Sequence, residues 1–254
     1  MKNKLDWRIF LILAFAVLIS SILAMPYITS TIGDIILEED EFNPILQVLT
    51  IFVLGSFSAL VGLLLGRSLG LGLPWLEGFL NGNFDRAGFV QLIKKSIFIG
   101  VGLGIGITIV DILFFHPFSP QLQQLTVPAP WQGFLASFYG GIIEEVLSRL
   151  FFATLIIWVL KIIFSRNKKE APQNYYWIGI IMAALFFAVS HLPALELSIG
   201  LTPLTVFRTL LLNAIPGTIF GWLFWKYGLE SAITSHFSAD IVLHVILFPI
   251  ILGT

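Results

Sequence analysis

The sequence predicts an all-α, polytopic transmembrane bundle, and three observations carry that expectation. Hydrophobic residues make up 57% of the chain and charged residues only 11%, against roughly 25% charged in ordinary soluble domains. Apolar runs long enough to cross a bilayer, ~20 residues each, recur along the whole length with short connections. Lys and Arg fall almost entirely in alternate connections. The 254 residues are therefore taken as a single membrane domain, 1–254.

The first element is the span Trp7 to Tyr27, whose apolar run Ile9 to Ala24 is preceded by Lys2, Lys4 and Arg8. It exceeds the roughly 7 to 15 residues of a signal-peptide core, and Ile22-Leu23-Ala24 is a poor cleavage site. A retained first helix is expected. The remaining spans are Ile45 to Gly66, Ile97 to Phe115, Trp131 to Phe164, Tyr175 to Leu195, Leu204 to Trp225 and Ala232 to Leu252, seven in all, with six and eight as the neighbouring counts. The stretch Leu69 to Leu80 is too short to span and is assigned to the interface.

Orientation follows from the cations, because positively charged loops stay on the cytoplasmic side. Arg67, Arg86, Lys94 and Lys95 separate spans two and three; Lys161, Arg166, Lys168 and Lys169 follow span four; Lys226 follows span six. The alternate loops hold Glu38, Glu39, Asp40 and Glu41, or no charge between His116 and Pro130. The N-terminus is thus expected in the cytoplasm. Arg149 and Arg208 are the exceptions, and Asp111, near the outer end of span three, is read as interfacial.

Composition also excludes function classes. A net charge of −1 without a basic, aromatic-interleaved run argues against a nucleic-acid partner. With no cysteine there is neither a thiolate nucleophile nor a thiolate metal site, so the chemistry falls to carboxylate, imidazole or hydroxyl groups. Gly100, Gly102, Gly104 and Gly106 alternate inside an apolar run. Their spacing fits small-xxx-small helix packing, not a dinucleotide loop.

Ionisable groups at mid-bilayer cost about 2.5 to 3.5 kcal/mol on insertion scales and are functional candidates by default. Span four carries Glu144, Glu145 and Arg149 in a Gly-Gly-Ile-Ile-Glu-Glu-Val-Leu-Ser-Arg string. Glu145 and Arg149, four apart, share a helix face. Glu144 points about 100° away and needs another partner. Span five contains Phe187-Ala-Val-Ser-His191, and span seven holds His236-Phe-Ser-Ala-Asp240.

Two imidazoles and paired carboxylates without a Ser or Cys triad point to an activated water, with a Glu as general base and imidazole positioning the water or stabilising the oxyanion. The reaction class is hydrolysis. Zinc held by His191, His236 and Glu145, with the second Glu as base, is the alternative use of the same groups, although the H-E-x-x-H helix is absent.

These motifs resemble the CPBP family, the CAAX proteases and bacteriocin-processing enzymes of the Abi type, which includes the Ras-converting CAAX endopeptidases. The family's E-E-x-x-x-R matches Glu144, Glu145 and Arg149, its F-x-x-x-H matches Phe187 and His191, and its H-x-x-x-(N/D) matches His236 and Asp240, in the family's order. The resemblance implies a catalytic helical core over 131–252 and an intramembrane endopeptidase acting on a peptide or membrane-protein substrate in the bilayer, a prenylated CAAX-like or a bacteriocin or leader-type peptide. It further implies that Glu144 and His191 activate water while His236 and Asp240 form the oxyanion site. Family members have been described as both glutamic and metalloproteases; a metal-free mechanism with no cofactor is the expectation here.

Two departures stand out. Ser148 and Leu150 flank Arg149 where many members read E-E-x-x-F-R-G, and Asp240 replaces the commoner Asn. An ionised carboxylate accepts hydrogen bonds but cannot donate to an oxyanion, so Asp240 either carries a proton or orients His236. Non-enzymatic alternatives are an immunity or scaffold protein of the same fold, which tolerates loss of Glu144, and a transporter with a charged pathway.

The sequence also poses a problem of depth. His191 lies sixteen residues after Tyr175, roughly 24 Å along a helix, whereas His236 follows the Gly228 turn by eight residues, about 12 Å. An early end to span five at Pro193 brings the two level.

Overall fold

The computed structural model describes residues 5–37, 43–120, 122 and 127–252. It contains seven helices long and apolar enough to cross a membrane, and no strand occurs among the described residues. Lys2, Lys4 and the acidic loop Glu38 to Glu41 lie outside the described residues.

The chain opens with α1 (Trp7–Leu37) and α2 (Pro44–Gly66). Asn43 starts α2 by accepting hydrogen bonds from the amides of Ile45 and Leu46, with Pro44 in the first turn where its missing N–H costs nothing. A tight turn at Gly70, whose φ of 70° suits glycine, leads into the short α3 (Pro74–Leu80). The interfacial stretch is thus a turn and a short helix. Leu69, Leu71 and Leu73 are buried in the core. Glu230 pins α3 by accepting from the amides of Trp75 and Leu76 at 3.0 and 2.9 Å.

Next comes α4 (Arg86–Phe114), capped by Asp85, whose carboxylate accepts from the Gly88 amide. The helix begins at Arg86 rather than Ile97, so Lys94 and Lys95 stand on its first turns and not in a loop. Of the glycines in α4, only one pair makes the packing seam. Added Cβ atoms at Gly100 and Gly104 would meet Ser235 and Val242, whereas at Gly102 and Gly106 they would meet nothing within 4 Å. Asp111 is only 6% exposed and grips Arg208 through two contacts of 2.5 Å. Two charges that break the loop pattern are thereby paired across spans.

The fourth span, Pro130–Phe164, runs as α5 (Pro130–Phe138), two π-helical segments and α6 (Thr154–Phe164). The fifth span is broken. Pro193 has no N–H and crowds the carbonyl four residues earlier, so α7 (Gln173–Val189) stops short and α8 (Leu192–Ile199) restarts after it. The last elements are α9 (Pro203–Tyr227), α10 (Leu229–Asp240), a π segment Ile241–Leu247 and α11 (Phe248–Leu252). Helix α7 packs along α9, and α10 lies against α4, α9 and the first π segment of the fourth span.

Candidate active site

The glutamates sit where the fourth span widens. Residues Tyr139–Glu144 and Val146–Ala153 form π-helix on either side of Glu145, a rare geometry found often at functional sites. Gly140 and Gly141 begin the widened stretch and admit α10. A Cβ at Gly140 would collide with the Asp240 carboxylate and lie 3.4 Å from Nε2 of His236.

Glu144 and Glu145 address opposite edges of one imidazole. Glu145 Oε1 lies 2.8 Å from Nδ1 of His236, and Glu144 Oε2 lies 3.7 Å from Nε2. The Nε2 edge also faces Asp240 Oδ1 at 3.6 Å. Behind Glu145, Arg149 Nη1 approaches the same Oε1 at 3.0 Å, an ion pair whose angle falls short of a hydrogen bond. Arg149 Nη2 donates to the Gly217 carbonyl at 3.1 Å. Arg149 and Glu145 are both fully buried, so each charge is supported only by neighbours within the protein. The pairing of Glu145 with Arg149 agrees with the sequence reading, and Glu144 has the separate partners it was expected to need.

His191 and His236 both face Glu144, so the two histidines meet in the bundle. His191 stands at the N-terminus of α8 and not inside a long helix. Its Nδ1 lies 2.7 Å from the Phe187 carbonyl. A carbonyl can only accept, so Nδ1 bears the proton and Nε2 of the neutral ring is left with a lone pair. That nitrogen faces Glu144 Oε1 at 4.0 Å, a separation that leaves room for a small hydrogen-bonding group between them. The Glu144 and His191 side chains retain 23% and 32% of their exposure, unlike the sealed Glu145 and Arg149. One wall of the cluster is open to a reactant and the other is closed.

Zinc held by His191, His236 and Glu145 would need those donors around one point. They are not so arranged. Glu145 occupies the Nδ1 edge of His236 and faces Arg149, while His191 faces Glu144. No group of three His, Asp or Glu side chains among the described residues is placed to hold a metal ion.

Sequence reasoning missed two contributors. Gly217 offers only a backbone carbonyl, which no motif can announce. Phe220 stacks on His236 but sits in the apolar, aromatic-rich stretch Ile219 to Trp225.

All the motif residues fall within the segment 126–242, which matches the family model described as type II CAAX prenyl endopeptidase, Rce1-like. The segment resembles that family. Comparison with curated proteins and with solved structures gave no match. The Rce1-like segment opens just before α5 and closes just after Asp240, so it contains the whole Glu and His cluster, while α1 to α4 lie outside it. The matched model describes endopeptidases, hydrolases of peptide bonds. Together with the seven apolar helices, it makes the protein an integral multi-pass membrane protein.

Proposed function

We propose that the protein is an intramembrane endopeptidase of glutamic type that cleaves a prenylated CAAX-like peptide without a metal. The observation that carries this reading is the gathering of Glu144, His191, His236 and Asp240 around one partly open space, with Glu145 and Arg149 behind them.

In this scheme water sits between Glu144 and Nε2 of His191. Glu144 takes its proton as hydroxide adds to the scissile carbonyl, and His191 orients the water through its unprotonated nitrogen. The oxyanion forms beside Nε2 of His236. Because Nδ1 already donates to Glu145, Nε2 can donate to an oxyanion only when the ring carries both protons. Glu145 on one edge and Asp240 on the other favour that imidazolium, which gives residue 240 a role as a carboxylate that an amide would fill differently. The proton held by Glu144 then passes to the leaving amine, and the tetrahedral intermediate collapses to acid and amine products.

The test uses the full chain in lipid vesicles and a fluorogenic peptide ending in a prenylated CAAX sequence. Cleavage is expected, and it should survive exhaustive chelation with metal content verified as substoichiometric. Activity lost on chelation and restored by one equivalent of zinc would recast His191 and His236 as ligands. No cleavage by a folded wild type would favour the scaffold alternative.

We also infer that the N-terminus lies in the cytoplasm. Support comes from the grouping of cationic segments at one end of the bundle. Arg8 reaches the Leu80 carbonyl and Asn81, and Lys161 reaches the Ser68 carbonyl. Because the chain has no cysteine, single Asn83→Cys and Lys168→Cys variants report sidedness directly. An impermeant maleimide should label both only after the cells are opened; labelling of either in intact cells would reverse the topology.

A further inference from the structure

Outside the three motifs, one buried ring touches both cationic members of the site. Phe220, 1% exposed, lies on α9 one turn beyond Gly217, the residue whose carbonyl takes Arg149. Its ring stacks on the His236 imidazole with centroids 4.6 Å apart and planes at 20°. The Arg149 guanidinium carbon is 5.5 Å from the same centroid. Phe187 stands edge-on to His236 at 5.6 Å and lies 4.6 Å from Arg149. Two rings therefore brace the Arg149 and His236 pair, and only Phe187 belongs to a motif.

We infer that Phe220 is a positioning residue that sets the plane of the His236 ring and so aims Nε2 at the reacting carbonyl oxygen; the catalytic part of this rests on the function proposed above. The hydrogen bond to Glu145 fixes the imidazole at one nitrogen only. Rotation about the terminal side-chain torsion of histidine is broad and weakly restrained. A phenyl face lying nearly parallel to the ring blocks that rotation, because any tilt drives imidazole atoms into the phenyl carbons. The ring face also attracts cations, so the stack tightens on the imidazolium that oxyanion binding requires. Phe220 further closes the space around Arg149, Glu145 and His236, where a low dielectric strengthens each interaction.

Loss of the ring face should slow chemistry without weakening substrate binding. In the vesicle assay, Phe220→Leu should lower kcat on the order of 10- to 100-fold, as misplacing a catalytic group does, with KM held within about threefold. Phe220→Tyr keeps the face but places a hydroxyl in an apolar site. It should keep kcat within about threefold of wild type while melting at a lower temperature than Phe220→Leu. Residues that act only through stability would make kcat and melting temperature fall together.

A spectroscopic readout needs no substrate. In histidine-labelled protein, the carbon-bound ring protons of His236, assigned by their loss in His236→Gln, should be displaced upfield by the stacked phenyl, restored to ordinary positions in Phe220→Leu and kept upfield in Phe220→Tyr. Wild-type protons without the displacement, or Phe220→Leu turning over within about twofold of wild type, would overturn the inference. A wild type that cleaved no CAAX peptide would defeat the functional proposal instead, and the proton positions would still decide whether Phe220 holds the ring.

Discussion

Glu144→Gln is expected to remove cleavage almost completely while leaving a folded protein. The substitution keeps the shape of the side chain and removes its capacity to take a proton from water. General-base assistance contributes about 10²- to 10⁴-fold, so kcat on the prenylated peptide should fall by that order, with His191 left to orient a water that has nowhere to send its proton. Stability should hardly change. The nearest histidine nitrogens lie 3.7 and 4.0 Å from the Glu144 oxygens, beyond direct hydrogen bonding, and the side chain keeps 23% of its exposure. The melting temperature of the variant in detergent should therefore match the wild type while turnover collapses. Retention of a tenth or more of the wild-type rate by a folded Glu144→Gln would remove Glu144 from the role of base.

The parts of this arrangement that sequence reveals are those in which a residue type is costly at its depth. A carboxylate or imidazole inside an apolar run has no solvent to satisfy it, so Glu144, Glu145, Arg149, His191, His236 and Asp240 each stand out. Apolar length alone reveals the seven spans. What sequence hides is carried by backbone or by residues that are cheap everywhere. The Gly217 carbonyl has no signature. Phe220 is one of 24 phenylalanines in the chain, and burial in a bundle is its default. The π widening around Glu145 is not encoded by any propensity; it lies where α10 packs against Gly140 and Gly141. The break before α8 lies between these extremes. Pro193 marks a helix boundary, but only the packed bundle shows that His191, at that boundary, faces Glu144 beside His236. Asp111 and Arg208 form a similar case: each is odd in its own span, and the three-dimensional arrangement makes the two oddities one pair.

The Arg149→Ala variant is expected to fail at folding and not merely at catalysis. Arg149 and Glu145 have side-chain exposures of 1% and 0%, so truncation leaves the Glu145 carboxylate sealed in the bundle with His236 as its remaining polar contact and with Oε2 unpartnered. Breaking a buried pair from one side costs about 3 to 5 kcal/mol, a large share of the roughly 5 to 15 kcal/mol that typically holds a native protein together. The space vacated between Phe187 and Phe220 adds a cavity to that cost. Arg149→Lys should rescue little, since one ammonium group cannot occupy the positions of two guanidinium nitrogens, one beside Glu145 and one on the Gly217 carbonyl, while also lying over the Phe187 ring. The deciding comparison is the double variant Arg149→Met with Glu145→Gln, which removes both charges and refills most of the volume. Buried pairs replaced together by uncharged groups of similar size are often close to neutral, so the double variant should accumulate in membranes and melt near the wild type where Arg149→Ala does not. It should nevertheless remain inactive, because the neutral amide in place of the Glu145 carboxylate bears no charge to sustain the His236 imidazolium. If Arg149→Ala accumulated normally, melted with the wild type and lost only substrate affinity, Arg149 would be a substrate contact and the buried charge it faces would have to be neutralised by some other means.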